Sequence, residues 1–271
     1  MMDKIDQLFH QLWEDYASRN PIANQIHDLL QAKGEIVEND HVALRTFNLN
    51  SIGIEKLARP FIRLGYEEKG EYEFPEKKLF AKHWEHPSGN YPRVFISELK
   101  VEEFSADFQK IIEILVKQVP PETIKSDNFP ICGVPWTMID HDTFEFLRNE
   151  SEYAAWMAVN GFRANHFTVS VNKLKQFKNL QELNSFLKDN GFKLNAQGGE
   201  IKGTPAECLE QSSTLANVIK IELADGDYDL PGCYYEFALR HPMADGKLYS
   251  GFIAKSADKI FESTDRKAGD K

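Results

Sequence analysis

The sequence predicts an α+β protein in which paired βαβββ modules form one curved, mostly antiparallel sheet with added helices. The first observation is a weak internal repeat. A strand pattern that opens near a histidine, followed by a helical stretch and a glycine, occurs at residues 40–65 and again at 165–191. The second observation is the alternation of side chains along both strands, which is typical of a sheet with one face on a core. Two such related units can share one site.

Residues 1–39 are predicted to form two helices that pack on this sheet. Apolar side chains recur at helical spacing from Ile5 to Tyr16. Pro21 is suited to open a second helix, and Gly34 is suited to stop it.

The first module, residues 40–120, is predicted to run strand, helix and three strands, with a further helix after them. Gly65 suits a left-handed stop for the first of these helices, and Pro120 ends the second. The predicted elements are a strand at 41–47, a helix at 54–64, a hairpin within 66–86, a strand at 93–99 and a helix at 104–119.

A connector, residues 121–160, separates the modules. It contains turn signals, a possible strand at Trp136 and a helix from about Thr143 to Val159. No low-complexity linker is present in it, so we expect a single domain.

The second module, residues 161–245, repeats the pattern. Its predicted elements are a strand at 166–172, a helix at 179–190, a hairpin or lid at 193–203, and strands at 209–214, 217–223 and 233–240. A C-terminal tail, residues 246–271, is expected to add a helix from Ala254 to Phe261 and a frayed end.

Length and composition favour a folded protein that acts on small molecules. The chain has 271 residues, of which 42% are hydrophobic, and a formal net charge of -10. That charge argues against a nucleic-acid partner. No signal peptide and no apolar stretch of ~20 residues is found, so no membrane association is expected. The three cysteines match no zinc or disulfide spacing and are expected to be free thiols in the cytoplasm.

His41, His166 and Glu236 are the candidate metal ligands. Each lies on the more polar face of a predicted strand, and the two histidines occupy corresponding positions in the two modules. Two imidazoles and one carboxylate are the ligand set of mononuclear non-haem Fe(II) enzymes, and they leave coordination positions open. The alternative is that all three side chains are structural.

Arg45 is the candidate substrate-binding residue. It follows His41 by four residues and therefore projects from the same strand face. A separation of about 13 Å between the two Cα atoms suits a small dicarboxylate with one end on a metal. Arginine binds carboxylates in a bidentate manner, although a structural salt bridge is the alternative. Glu98, at the end of a first-module strand, is a further candidate for a fourth ligand.

Other chemistries find little support in the sequence. There is no Gly-x-Ser-x-Gly elbow, phosphate-binding loop or dinucleotide fingerprint. The remaining histidines lie in helices, turns or a charged hairpin and suggest no second site.

Five segments of the chain, taken together, resemble one known family. They are DHVALRTF at 40–47, SEYAAW at 151–156, NHFTV at 165–169, LEQSST at 209–214 and YEFALR at 235–240. The family is 2-oxoadipate dioxygenase/decarboxylase, also called D-2-hydroxyglutarate synthase. The resemblance extends over most of the chain, which looks like a short form.

The resemblance implies a vicinal-oxygen-chelate-like fold and an Fe(II) centre held by His41, His166 and Glu236. It implies that Arg45 binds substrate and that 2-oxoadipate and O₂ yield 2-hydroxyglutarate and CO₂ in lysine catabolism. Further candidate pocket residues are Gln211, Ser213 and Tyr249.

Two other classes of function stay open. One is a redox-inactive, metal-dependent lyase or hydrolase of the same fold, and the other is a metal-free protein that binds a small acid. Metal analysis and oxygen consumption distinguish the three. The oligomeric state is not predicted.

Overall fold

The computed structural model describes residues 3–253, and its centre is an eight-stranded, curled sheet. Two neighbouring strand pairs are parallel and the other five are antiparallel, so the predicted mostly antiparallel sheet is confirmed. Eight strands form this sheet, and two more, β8 and β9, pair separately. In chain order the strands are β1 (Asn39–Phe47), β2 (Glu67–Phe74), β3 (Leu79–Glu85), β4 (Arg93–Leu99), β5 (Ala164–Ser170), β6 (Lys202–Thr204), β7 (Leu209–Ser213), β8 (Val218–Leu223), β9 (Gly226–Pro231) and β10 (Tyr234–Arg240).

The sheet consists of two halves with the same topology, which confirms the paired βαβββ modules. Its order is β2-β3-β4-β1-β5-β10-β7-β6. Within each half, the first strand pairs in parallel with the last strand of the module, β1 with β4 and β5 with β10. The halves meet where β1 and β5 pair antiparallel. An approximate twofold axis therefore passes between β1 and β5.

The helices surround this sheet, and the two at the N-terminus form as predicted. Asp3 caps the first helix, since its side chain accepts a hydrogen bond from the backbone N–H of Asp6 at 2.8 Å. Gly34 follows the second with a φ of 88°, a left-handed conformation that favours glycine. The helices are α1 (Lys4–Arg19), α2 (Pro21–Ala32), α3 (Ile54–Leu57), α4 (Arg59–Arg63), α5 (Ala106–Val116), α6 (Pro121–Lys125), α7 (His141–Glu150), α8 (Glu152–Asn160) and α9 (Leu180–Asp189).

Two helices that were predicted as continuous are divided. The one expected at 54–64 is α3 and α4, and Pro60 lies in the first turn of α4, where its missing N–H costs no hydrogen bond. The one expected at 143–159 is α7 and α8. Ser151 has an extended backbone between them, and its hydroxyl accepts the N–H of Ala154 at the start of α8.

The strand suggested at Trp136 is wrong. Trp136 lies in a loop, and its indole N–H donates to the carbonyl of Ala158 at 2.9 Å. The nearby strand-like pairing is a single bridge between Gly133 and Phe162. The apolar character of this segment reflects burial of the tryptophan ring against a helix end.

The second module carries an insertion that the sequence analysis recognised only in part. Strand β8 was expected, but it pairs with β9 in a separate two-stranded sheet. This pair follows β7 and precedes β10 along the chain. Residues 193–203 are mostly loop and end by entering β6, which pairs with β7. The helix expected from Ala254 to Phe261 lies outside the described residues.

The two faces of the main sheet are covered differently. Phe167 and Tyr235 point to one face, where their ring centroids lie 5.2 and 5.8 Å from that of Trp13 in α1. The opposite face, called the site face, carries His41 and Arg45, and α8 covers part of it. All three cysteines are free thiols. Among the described residues, no helix is both long and apolar enough to cross a bilayer.

Candidate metal centre

The three candidate ligands come from neighbouring strands at the middle of the sheet. On β1, β5 and β10, residues His41, Thr168 and Glu236 lie side by side in the strand register. His166 precedes Thr168 by two residues on β5 and therefore points to the same face. The alternating strand pattern and the register together bring one carboxylate and two imidazoles to one place.

The side chains form a compact buried group. The Nε2 atom of His41 lies 3.4 Å from Oε1 of Glu236, and Nε2 of His166 lies 3.5 Å from Oε2 of the same carboxylate. The possible ligating atoms all lie within 4.8 Å of one another. All three residues are buried. A single divalent ion could bind all three side chains.

Neighbouring residues orient both imidazoles. The Nδ1 atom of His41 is 2.8 Å from Oδ1 of Asp40, and Nδ1 of His166 is 3.1 Å from Oδ1 of Asn165. With Nδ1–H donating to these oxygens, each Nε2 is left as an acceptor that faces Glu236. Burial lowers the pKa of both histidines, which favours the neutral imidazoles that bind metals.

Burial dominates the electrostatics of Glu236. Burial raises the pKa of this carboxyl to about 8, against the opposing effect of hydrogen bonds from Gln211 and Thr168. The amide Nε2 of Gln211 donates to Oε1 at 2.5 Å. A divalent cation would favour the ionised carboxylate. The donor set and its buried setting therefore fit a metal ion.

Asp40, which contacts Nδ1 of His41, is itself held by a buried ion pair with Arg240. Arg240 binds both oxygens of Asp40, with Nε–Oδ2 at 2.7 Å and Nη2–Oδ1 at 2.8 Å. Although burial opposes ionisation, Arg240 and His41 hold the pKa of Asp40 well below its usual range. Arg240 also donates to the carbonyls of Tyr249 and Gly251. The sequence analysis missed this pair, whose signal was the placement of Arg240 on the strand face of Glu236.

Arg45 lies on the site face, buried against two aromatic rings. Its guanidinium carbon is 4.8 Å from the ring centroid of Tyr153 and 4.9 Å from that of Trp156, both in α8. The Tyr153 hydroxyl donates to the carbonyl of Ser97 at 2.7 Å, which fixes its ring. The charge of Arg45 also contributes to lowering the pKa of His166, after burial and His41.

A cavity of about 330 Å³ reaches Arg45 from the surface. Its walls are formed mainly by residues 76–79 and 148–153, and Tyr153 lines it together with Arg45. None of the three candidate metal ligands lines this cavity. Arg45 therefore lines the cavity, whereas the buried histidine–carboxylate group does not.

The remaining candidate residues lie at different distances from the ligand group. Gln211 contacts Glu236 directly, and Ser213 lies opposite Glu236 in the register of β7 and β10. Tyr249 is half-buried in the segment that Arg240 binds, and its hydroxyl donates to the carbonyl of Phe252. Phe252, which follows in this segment, packs edge-on against His41 with the two ring centroids 4.8 Å apart.

Glu98 is not part of the group, and the suggestion of a fourth ligand there is wrong. The site-face residues of β4 are Arg93, Phe95 and Ser97, so Glu98 points to the other face. Its carboxylate accepts the backbone N–H of Ile54 at 2.9 Å, at the start of α3. The error came from treating a strand end as a site position without its register.

Comparison with known sequences points to one family. The sequence pattern of the 2-oxoadipate dioxygenase/decarboxylase family matches residues 6–122 and 133–249. The chloroplastic/amyloplastic 2-oxoadipate dioxygenase/decarboxylase of Oryza sativa subsp. japonica is 37% identical over 274 residues. That match spans 92% of this chain and 75% of the rice protein.

Solved structures share the fold. A Shewanella frigidimarina NCIMB 400 protein, for which hydrolase activity has been suggested, has a TM-score of 0.89 and 49% identity, covering 94% of this chain and 99% of its own. Hydroxyglutarate synthase from Oryza sativa, solved with 2-oxoadipate, has a TM-score of 0.88 and 35% identity, covering 95% and 91%. A Ralstonia eutropha JMP134 protein assigned provisionally to the glyoxalase superfamily shares the fold alone, with a TM-score of 0.71, 22% identity and coverage of 90% and 84%.

Proposed function

Because the chain belongs to the 2-oxoadipate dioxygenase/decarboxylase family, we propose that it is an Fe(II)-dependent enzyme that converts 2-oxoadipate and O₂ to 2-hydroxyglutarate and CO₂. The observation that carries the proposal is the buried group of His41, His166 and Glu236, whose ligating atoms lie within 4.8 Å of one another. Two neutral imidazoles and one carboxylate suit Fe(II) and leave positions for substrate and O₂. When bound, Fe(II) would supply the electrons and Lewis acidity that O₂ and the 2-oxo acid require.

The protein's own contribution begins with orientation of the ligands. Asp40 and Asn165 hold the Nδ1 atoms of the two histidines, so that both Nε2 atoms are directed at the metal position. Gln211 holds Glu236 from the other side. Burial of all three ligands excludes water from the reacting centre.

Arg45 supplies recognition of the substrate. We assign it to the carboxylate of 2-oxoadipate that is remote from the reacting carbon. The rings of Tyr153 and Trp156 pack against its guanidinium, which limits its movement. The cavity that Arg45 lines has a volume within the range of small-molecule sites, and we assign it as the route by which the substrate enters.

Ser213 and Tyr249 are assigned to the surroundings of the site with less direct roles. Ser213 is fully buried beside the strand position of Glu236. Tyr249 belongs to the segment bound by Arg240. We also propose a cytoplasmic location, supported by three free cysteines, and a place in lysine catabolism, supported by the family resemblance.

The proposal is tested by loading metal-free protein with Fe(II) under anaerobic conditions and then measuring O₂ uptake with a panel of 2-oxo acids. We expect one O₂ consumed and one CO₂ released for each 2-oxoadipate, with 2-hydroxyglutarate as the product. The panel includes 2-oxoglutarate and a monocarboxylic acid of similar length, 2-oxohexanoate. Turnover without O₂, or equal turnover with Zn²⁺, would instead indicate a lyase or hydrolase. Binding of the acid without metal would indicate a binding protein.

A further inference from the structure

The approximate twofold axis of the sheet relates two rows of residues on the site face. Each row takes one residue from each of three adjacent strands, and the rows share β1 and β5. In the strand register the first row is Glu236, Thr168 and His41, and the second row is Phe95, Ala43 and His166.

The two rows correspond residue by residue. The axis exchanges His41 with His166 and places Phe95 where its symmetry mate is Glu236. In the first row, the end residues meet across the small side chain between them, with His41 Nε2 and Glu236 Oε1 3.4 Å apart. The second row has the same strand spacing and an alanine at its middle. A carboxylate at position 95 would therefore be placed to reach the same group of side chains.

We propose that Phe95 is a specificity-determining residue of the centre, because it occupies the fourth-ligand position that the twofold symmetry of the sheet creates. This inference rests on the proposed function for its chemical meaning. An Fe(II) ion has about six positions, of which three protein ligands occupy half. A chelating 2-oxo acid would need two of the remaining positions, and O₂ would need one. A fourth protein ligand would leave no room for both substrates.

Aromatic rings pack around Phe95 on this side of the centre. Its ring centroid lies 4.8 Å from that of Phe252 and 5.7 Å from that of Tyr72. Phe252 in turn lies edge-on to His41, and its backbone N–H donates to the Tyr72 hydroxyl at 3.1 Å. Phe95 therefore packs among aromatic rings, and its own side chain offers no ligand atom to a metal.

The test introduces the missing ligand and measures the metal directly. Phe95→Glu, its neutral isostere Phe95→Gln and the apolar control Phe95→Leu are purified metal-free and titrated with Co(II) under anaerobic conditions. Calorimetry gives the affinity, and the visible absorption of Co(II) reports its coordination number. For Phe95→Glu we expect Co(II) to bind at least about tenfold more tightly than in Phe95→Leu, with weaker d–d absorption. With Fe(II), O₂ uptake should be lower in Phe95→Glu than in Phe95→Leu.

A second variant guards against poor folding of a buried glutamate. Phe95→His offers a neutral donor at the same place and should likewise change the Co(II) spectrum. If neither variant alters affinity or spectrum relative to Phe95→Leu, or if Phe95→Gln matches Phe95→Glu in both, the assignment is wrong. Since Co(II) binding requires no turnover, this result stands apart from the proposed reaction. Failure of the wild-type protein to consume O₂ would overturn the reaction and leave the titration to decide the ligand position.

Discussion

Replacing Asp40 with asparagine should separate the support of the metal ligand from the stability of the fold. Asp40 and Arg240 are both buried and joined by two short contacts, while the same carboxylate accepts from His41 Nδ1. Arg93 approaches it as well, at 3.3 Å. The Asp40→Asn substitution would keep the shape of the side chain and one acceptor oxygen but would remove the charge that two guanidinium groups share.

The magnitude follows from what remains buried after the substitution. Breaking a buried ion pair by neutralising one partner costs about 3–5 kcal/mol, because the other charge is left without compensation. For a chain of this size, each kcal/mol corresponds to roughly 2–4 °C in Tm, so the loss should be roughly 6–20 °C. Loss of the anionic acceptor of a ligating histidine should weaken metal binding about 10–100-fold.

Two assays and one double variant distinguish these effects. Calorimetric unfolding of the metal-free protein gives the stability, and a Co(II) titration gives the affinity. In Asp40→Asn/Arg240→Gln no unpaired Arg240 charge remains, so much of the lost Tm should return. The metal affinity should not return, since His41 still lacks its anionic partner.

Two outcomes would contradict this reasoning. If Asp40→Asn unfolded at the wild-type temperature and bound Co(II) with wild-type affinity, the ion pair would contribute to neither property. If the double variant recovered metal affinity together with Tm, the unpaired arginine, and not the orientation of His41, would explain the defect.

Further substitutions test other parts of the molecule. His166→Ala should abolish stoichiometric Fe(II) binding, measured by metal analysis, while the Tm of the metal-free protein stays within a few degrees; an active variant with a full metal complement would make His166 structural. Arg45→Met should lower kcat/KM for 2-oxoadipate by about 10²-fold or more and spare a monocarboxylic 2-oxo acid; equal losses on both acids would remove Arg45 from distal recognition. Gly161→Ala should be strongly destabilised in calorimetry, because φ is 67° and the new Cβ would lie 2.0 Å from the carbonyl oxygen of Gly133. Gly246→Ala, where φ is 81° but nothing lies within 4 Å, should lose only about 1 kcal/mol; similar losses in the two would assign the effect to φ alone.

The strands and their faces were predictable from the sequence because alternation is a local property. His41, His166 and Glu236 could be placed on the correct face without knowing which strands are neighbours. The internal repeat then indicated that the chain contains two related modules. The division of the helix at Ser151 was less visible. A serine within a helical stretch ends the helix only if its hydroxyl caps the next turn, and the sequence does not show whether it does.

Strand order and register were beyond the sequence, and the errors in the site follow from that. Glu98 was considered a ligand because it ends a strand, yet the register places Phe95 on the site face instead. Asp40 escaped notice because its partner, Arg240, is 200 residues away along the chain. Long-range pairing of this kind leaves no local pattern, so only the assembled sheet reveals it.

The seam between β1 and β5 has a consequence for how the chain folds. The candidate metal centre takes His41 from the first half and His166 and Glu236 from the second, so its residues are far apart in sequence. Contacts of such high contact order form late, after each half has closed its own shorter loops. Half-folded chains should thus have no competent centre, and a metal ion could bind all three side chains only once the two halves have docked. The rate of metal uptake during refolding would consequently report the rate of the final assembly step.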